Sequence, residues 1–305
     1  MNLKLLVVGT VRNVGKNLEK EIKKFEDTLN NFGSVDFFLV ESDSTDETFD
    51  VLISLQRKKL NFKFESFGIL ATDIPNRIER IRYCRNEYVN YIRQTISVCK
   101  WNFVVVVDFD RMNNSLSRNG IKSCFSSSIQ WDGCFANQKY GYYDIYALRA
   151  KNWVEEDCFY TLEKLKQKNP YKEKFSISFL RNLHAIMHFD RLRYLAIFSK
   201  MKVLPKNSSW IQVDSAFGAF AIYKSELFLI SDYSQKTQTH FSTCEHVDFN
   251  LSAIDMGAKL FINPELINSK LNEYNLNRFT IIRFIRELKK FYPFLDEFVQ
   301  IIFRK

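Results

Sequence analysis

Glycine is scarce in this 305-residue chain, with nine residues, and there is no internal repeat and no low-complexity linker. One compact catalytic domain is therefore the simplest partition. The six cysteines, Cys84, Cys99, Cys124, Cys134, Cys158 and Cys244, show no C-x-x-C spacing. A chain of this length needs no staples, so reduced thiols in a cytoplasmic protein are expected, with neither disulfide nor zinc site. No apolar run is long enough to cross a bilayer. Met1 to Gly9 is apolar but short, and it lacks the leader and cleavage site of a signal peptide. The expectation is a protein that stays in the compartment where it is made, cytoplasmic or peripheral at the inner face of the membrane. RNA- and DNA-binding signatures are absent as well, so nucleic acid is not an expected partner.

What the chain has in plenty is phenylalanine, 29 residues, within a hydrophobic content of 46% and a charged content of 26%. That composition describes a globular protein with an aromatic core. The formal net charge of +9 favours anionic partners such as anionic lipid or phosphorylated substrates.

Apolar runs and helix-like spacing alternate through the first third. Leu3 to Val8 reads as a strand, Leu18 to Leu29 as a helix, Val35 to Val40 as a strand and Phe49 to Leu60 as a helix. Phe62 to Phe67 is a third strand, a basic helix runs from Pro75 to about Val98, and Phe103 to Val107 is the fourth strand. This alternation predicts an α/β fold with a doubly wound, mostly parallel, Rossmann-like sheet and helices on both faces. Beyond it, Ile129 to Phe135, Tyr140 to Leu148, Trp210 to Val213, Ala219 to Tyr223 and Lys259 to Ile262 look extended, the last closed by Asn263-Pro264. Trp153 to Lys200 is mixed and partly helical, and Cys244 to Met256 reads as a helix ending at Gly257.

The stretch Val104-Val105-Val106-Val107-Asp108-Phe109-Asp110 concentrates the chemistry. Four β-branched residues suit a strand buried on both faces. Side chains two apart on an extended segment point the same way, so Asp108 and Asp110 would project together from the strand's C-terminal end. Open α/β sheets bind ligands there.

Three further stretches join it. Val40-Glu41-Ser42-Asp43-Ser44-Thr45-Asp46-Glu47-Thr48 resembles the V-N-D-G-S-T-D-G-T stretch of nucleotide-sugar glycosyltransferases with the GT-A fold, and Arg85-Asn86 resembles their A-R-N element. Ser215 to Tyr223 is similar to the G-G-x-x-x-Y acceptor-side segment of bacterial and fungal capsule and lipopolysaccharide glycosyltransferases, including the cryptococcal mannosyltransferase type. Cys244-Glu245-His246-Val247-Asp248-Phe249, with Gly257 and Pro264 behind it, is similar to the E-D-x-D-F block.

The resemblance implies a metal-dependent hexosyltransferase acting on a glycan or lipid-linked glycan in surface polysaccharide synthesis. Its cofactors would be Mn²⁺ or Mg²⁺ and a GDP- or UDP-hexose, because a hard divalent ion neutralises the leaving diphosphate. Asp110 is the implied metal ligand, with Asp108 either ligating through water or holding the ribose. Thr10, Arg12, Glu41, Asp43 and Arg85 would hold the donor nucleotide, Arg85 as a guanidinium fork on phosphate. Asp46 reads instead as a cap of the following helix. His246 stands where inverting relatives carry an aspartate base, so it could be the base or a metal ligand, with Glu245 and Asp248 as alternative bases. On the acceptor side the candidates are Asp144, Tyr143, Phe217 and Gly218, within an aromatic wall around Tyr140, Tyr142 and Tyr146.

The domain reading places a GT-A domain over residues 1–270, donor-binding to about 115 and acceptor-side from 116, and a basic amphipathic helical segment over 271–305. That segment either rests on an anionic membrane or packs on the domain. His184 and His188, four apart, read as structural. Two other functions compete: a sugar-phosphate nucleotidylyltransferase, and a non-catalytic glycan- or membrane-binding protein on a transferase scaffold.

Overall fold

The computed structural model describes residues 2–235 and 244–291. The predicted alternation is present in order: β1 (Leu3–Val11), α1 (Gly15–Leu29), β2 (Gly33–Glu41), α2 (Thr48–Lys58), β3 (Phe62–Ser66), α3 (Arg77–Cys99) and β4 (Phe103–Val107). Then follow α4 (Arg118–Phe125), β5 (Gly133–Gln138), α5 (Cys158–Lys168), α6 (Ser178–Ala196), β6 (Ile211–Val213), β7 (Phe220–Lys224), α7 (Leu227–Ile230), α8 (Glu245–Asp255), β8 (Leu260–Ser269) and α9 (Thr280–Phe291).

One eight-stranded sheet holds them in the order β3-β2-β1-β4-β7-β5-β8-β6. The strands from β3 to β4 are all parallel, whereas β7 runs antiparallel to both β4 and β5, and β6 runs antiparallel to β8. The sheet is thus mixed, parallel through its first half, with β7 and β6 reversed in its second while β5 and β8 run parallel to each other.

Strand alternation splits the core in two. Leu6, Val8, Val104 and Val106 face one side, where α3 brings Tyr88, Val89 and Ile92 and α8 brings Phe249. Leu5, Val7, Val105 and Val107 face the other, against Leu18, Ile22 and Phe25 of α1, Leu52 of α2 and Ile121 of α4. Period-two side chains on strands with no solvent side require cover on both faces, and the helices supply it.

The second half differs from expectation at two places. Tyr140 to Leu148 is a run of turns, because Gly141 (φ 134°) breaks the chain and the Asp144 side chain accepts from Ala147 N (3.3 Å). Its aromatic spacing reflects burial of Tyr142, whose hydroxyl accepts from Phe217 N (3.1 Å). The last strand does not close at Asn263-Pro264 but continues to Ser269. Pairing of β5 with β8 skips from Phe135↔Ile262 to Asn137↔Ile267, so Pro264 sits at an irregularity where no ladder donor is required. By contrast α8 ends as predicted, with Gly257 at φ 89° donating to Ile254 O (2.8 Å).

All six cysteines are free thiols. Of the C-terminal segment, α9 packs on α6 through Arg283, which donates to both oxygens of Asp190 (2.7 and 2.9 Å). Residues 292–305 of the predicted amphipathic segment lie outside the described residues. No helix among the described residues is long and apolar enough to cross a membrane.

Candidate active site

Strands β1, β2 and β4 end at one place, and a cleft of about 760 Å³ opens beyond them. Its walls come from the ends of those strands, from the face of α3 that carries Arg77, Ile81 and Arg85, and from the start of α8. Helix α3 is started by Asn76, whose side chain accepts from Ile78 N and Glu79 N, so its first residue, Arg77, is held at the cleft rim.

Arg85 joins the segments that the sequence singled out. Its guanidinium, buried at 3% exposure, donates to Asp108 Oδ1 (3.2 Å), Glu245 Oε1 (3.1 Å) and Tyr88 Oη (3.2 Å). The plane lies between the rings of Phe217 (5.4 Å) and Tyr233 (5.6 Å). Residues distant in sequence thus meet at one cation.

Asp108 and Asp110 flank the buried Phe109, whose ring packs so closely on β1 that a Cβ on Gly9 would stand 2.8 Å from it and 2.4 Å from Val107 O. Glycine is required at position 9 for that approach. Both acids open to the cleft, the Asp108 side chain 32% exposed, yet the enclosing protein still withdraws water from them. Desolvation raises the Asp108 carboxyl despite Arg85, with Glu245 adding to the rise. Asp110 is pushed up to about 7, first by desolvation and then by the charge of Asp108. A pair of carboxylates raised in this way is short of positive charge, and its oxygens are the donors a hard divalent cation prefers. Asp110 already spends one oxygen on Met112 N (3.2 Å). No group of three or more His, Cys, Asp and Glu among the described residues could hold a metal, so His246 is not gathered with this pair. An ion here would draw its remaining ligands from phosphate and water. The two aspartates fit that role.

The other predicted residues divide. Thr10, Arg12, Asp43, Asp144, Phe217, Glu245 and His246 line the cleft; Glu41, Tyr143, Gly218 and Asp248 are not part of its lining. The Glu41 carboxylate accepts from Ser44 N (3.0 Å) and from Ser66 Oγ, which shapes the loop after β2. Asp43, in the left-handed region (φ 58°), accepts from Ala71 N (2.7 Å) and pairs with Arg80 (3.4 Å). Asp46 accepts from Thr48 N (3.0 Å) in the turn before α2, one residue ahead of the N-cap, Glu47, whose own side chain makes no capping bond. Asp248 is buried against Arg82 (2.6 Å). Tyr143 stacks on Tyr274, with centroids 5.1 Å apart. Gly218 N donates to Asp144 Oδ2 (2.9 Å), and Asp144 itself is raised to about 6, chiefly by burial.

His246 is 2% exposed and stacks on Phe217 at 3.7 Å. Neither ring nitrogen has a hydrogen-bond partner among the described residues. Burial, and then the charge of Arg85, drive its pKa well below the usual imidazole value. The ring is neutral.

Sequence reasoning left four residues unassigned to the site. Arg77 was one of several arginines on a basic helix, and its position at i with Cys84 and Arg85 at i+7 and i+8 was the available signal. Ser42 and Phe159 also line the cleft, Phe159 beside Tyr146 (5.0 Å). Glu21, on α1, accepts from Arg111 N (3.2 Å) behind the acidic pair while its second oxygen is buried without a partner. Burial raises it to about 7.

No protein-family model matches the chain, and a search of curated proteins finds no match. Among solved structures, the chain is similar to a mannosyltransferase from Pyrobaculum calidifontis in complex with GDP-Man and Mn²⁺, at 12% identity and a TM-score of 0.47, covering 94% of this chain and 62% of that one. It is also similar to residues 1–349 of TarS from S. aureus with UDP-GlcNAc, at 11% identity and a TM-score of 0.44, covering 94% and 65%. A third is glucosyl-3-phosphoglycerate synthase from Mycobacterium tuberculosis with phosphoglyceric acid, at 12% identity and a TM-score of 0.40, covering 93% and 80%. The chain spans less than two thirds of the first two.

Proposed function

We propose that the chain is a metal-dependent GT-A glycosyltransferase that moves a hexose from a GDP- or UDP-hexose to a glycan or lipid-linked glycan acceptor. The observation that carries this reading is the convergence on Arg85. The stretches that resemble the A-R-N element, the acidic strand end and the E-D-x-D-F block of such enzymes supply Arg85, Asp108 and Glu245, and Arg85 donates to both carboxylates. A nucleotidylyltransferase reading needs no carboxylate from that last block.

In this reading Asp110 and Asp108 would hold a Mn²⁺ or Mg²⁺. When bound, the ion would supply positive charge to the leaving diphosphate. Arg77 and Arg12, both exposed and both lining the cleft, extend cations toward the same phosphates. Thr10, Ser42 and Asp43 line the strand ends where a ribose and base would rest.

Glu245 is the carboxylate we assign as base. It takes the proton of the acceptor hydroxyl while that oxygen bonds the sugar's anomeric carbon and the bond to the diphosphate breaks. Asp248 is 1% exposed on Arg82 and off the cleft, whereas Glu245 lines the cleft and shares Arg85 with Asp108. Neutral His246 stacks beside the reacting groups with two unsatisfied nitrogens, each of which costs on the order of 1–3 kcal/mol unless a ligand hydroxyl meets it. Asp144, Tyr146 and Phe159 form the acceptor wall. The surface-polysaccharide role belongs to the same proposal and rests on the capsule-type resemblance alone.

A thermal-shift screen of UDP-, GDP- and CMP-sugars with and without Mn²⁺ identifies the donor, because a ligand bound only by the folded state raises its melting temperature. Transfer by the Asp110→Asn variant should fall by about 10²–10³-fold with the fold intact. Full activity in that variant would sink the assignment.

A further inference from the structure

Helix α6 is apolar on both sides. Inward it buries Ile186, Leu192 and Ala196, the last two packed with Leu162 of α5. Outward it exposes Leu180 and Met187, seven apart and therefore on one stripe, which ends at Tyr194 under Arg283 of α9 (5.1 Å). Ile177, just before the helix, is 62% exposed, as is Met187. Helices that are hydrophobic all round are normally covered on both faces, and contiguous exposed apolar surface marks an interaction site.

Charge concentrates on the same segment. Residues 158–203 hold ten Lys and Arg against three Asp and Glu, which places +7 of the chain's +9 on 46 residues. In the loop between α5 and α6, Lys172 and Lys174 stand just before Phe175 and Ile177. Apolar side chains interleaved with cations on an exposed helix and its flanking loop are what an anionic bilayer surface binds. A second copy of this chain would bring the same +7 and be repelled.

We propose that the α5–α6 hairpin is a docking face for an anionic bilayer. Its apolar stripe enters the headgroup boundary while its lysines and arginines meet the lipid charge. The stripe adjoins helix α9, whose Arg283 pairs with Asp190 and lies over Tyr194, so substitutions on each helix are needed to tell the two surfaces apart. Helix α5, which gives Phe159 to the cleft wall, packs on the inward face of α6, so docking would bring the cleft to the same bilayer. On the glycosyltransferase reading, on which this clause alone rests, a bilayer-borne acceptor would be within its reach.

The test uses the full chain with phosphatidylcholine vesicles, alone or with about one quarter phosphatidylglycerol, sedimented at about 0.1 M and 0.5 M salt. Binding is expected to the anionic vesicles, with a loss of about ten-fold on removing phosphatidylglycerol or raising salt. The exposed double variant Ile177→Glu/Met187→Glu should lose about ten-fold in binding while keeping its melting temperature and its affinity for nucleotide-sugar. Three results would overturn the proposal: unchanged binding by that variant, no binding by the natural chain, or loss confined to a Phe279→Glu/Ile281→Glu variant of the C-terminal helix. A natural-chain dimer split by Ile177→Glu/Met187→Glu would assign the face to a second copy and overturn it as well. The assay needs no donor, so its failure leaves the transferase reading standing, and the donor screen needs no lipid.

Discussion

The parallel half of the sheet and the α5–α6 hairpin use the same kind of residue in opposite ways. In the first, Phe25, Phe37 and Phe62 are almost wholly buried between β-branched strands and helices. In the second, a buried cluster of only Leu162, Leu192 and Ala196 supports a surface of exposed Phe175, Ile177, Phe179 and Met187. An aromatic-rich composition therefore does not by itself measure the core. Where the helix layer has a sheet beneath it, the aromatics fill the interior and position two aspartates; where it has none, they face outward.

The contrast can be broken by substitution. Phe25, edge-on to Phe109 at 5.6 Å and stacked with Phe220 at 6.3 Å, should cost about 3–5 kcal/mol as Phe25→Ala in chemical unfolding. Glu21→Gln tests the buried acid behind the pair. Its folded pKa of about 7 lies above the ordinary glutamate value of 4.5, so the folded state holds a proton that the unfolded chain releases. Stability should be unaffected below about 4.5, fall as pH rises to about 7, and stay lowered above it. Glu21→Gln removes its share of that loss, on the order of 3 kcal/mol at pH 8, and makes the pH profile shallower while the shares of Asp110 and Asp144 remain; an unchanged profile would refute the assigned shift.

Gly9→Ala should cost about 3 kcal/mol, since its Cβ must displace both the backbone oxygen of Val107 and the Phe109 ring. Weaker donor binding in that variant would tie the Phe109 packing to the aspartates. Leu192→Ala should cost about 2 kcal/mol, and limited proteolysis should then enter the loop at residues 169–177 before any cut in the sheet. If it instead lowers global stability as much as Phe25→Ala, the hairpin and the sheet unfold together and the contrast fails.

Much of the parallel half was legible because β-branched runs and amphipathic spacing signal locally. Val104 to Val107 has no other stable reading, and the two acids after it follow by side-chain alternation. The resemblance placed Arg85 and Glu245 in one site but gave Arg85 to phosphate; its pairing with Glu245 was not foreseen, since no local rule reports a contact 160 residues apart. Glu41 and Asp248 were misleading for a physical reason: a carboxylate in a motif and a carboxylate holding a loop or a buried arginine look alike in sequence. Tyr140 to Leu148 read as extended because aromatic spacing mimics a strand, while the turn depends on Gly141 and the Asp144 side chain. Pro264 read as a stop because the irregularity that tolerates it belongs to the pairing with β5.

The central claim is that Asp108 and Asp110 form the metal platform for a nucleotide-sugar. Calorimetric titration of the natural chain and of Asp110→Asn with GDP- and UDP-hexose, each with and without Mn²⁺, tests it directly. The account predicts that Mn²⁺ tightens binding by about ten-fold or more in the natural chain and leaves Asp110→Asn unchanged. An undiminished Mn²⁺ effect in Asp110→Asn would contradict it.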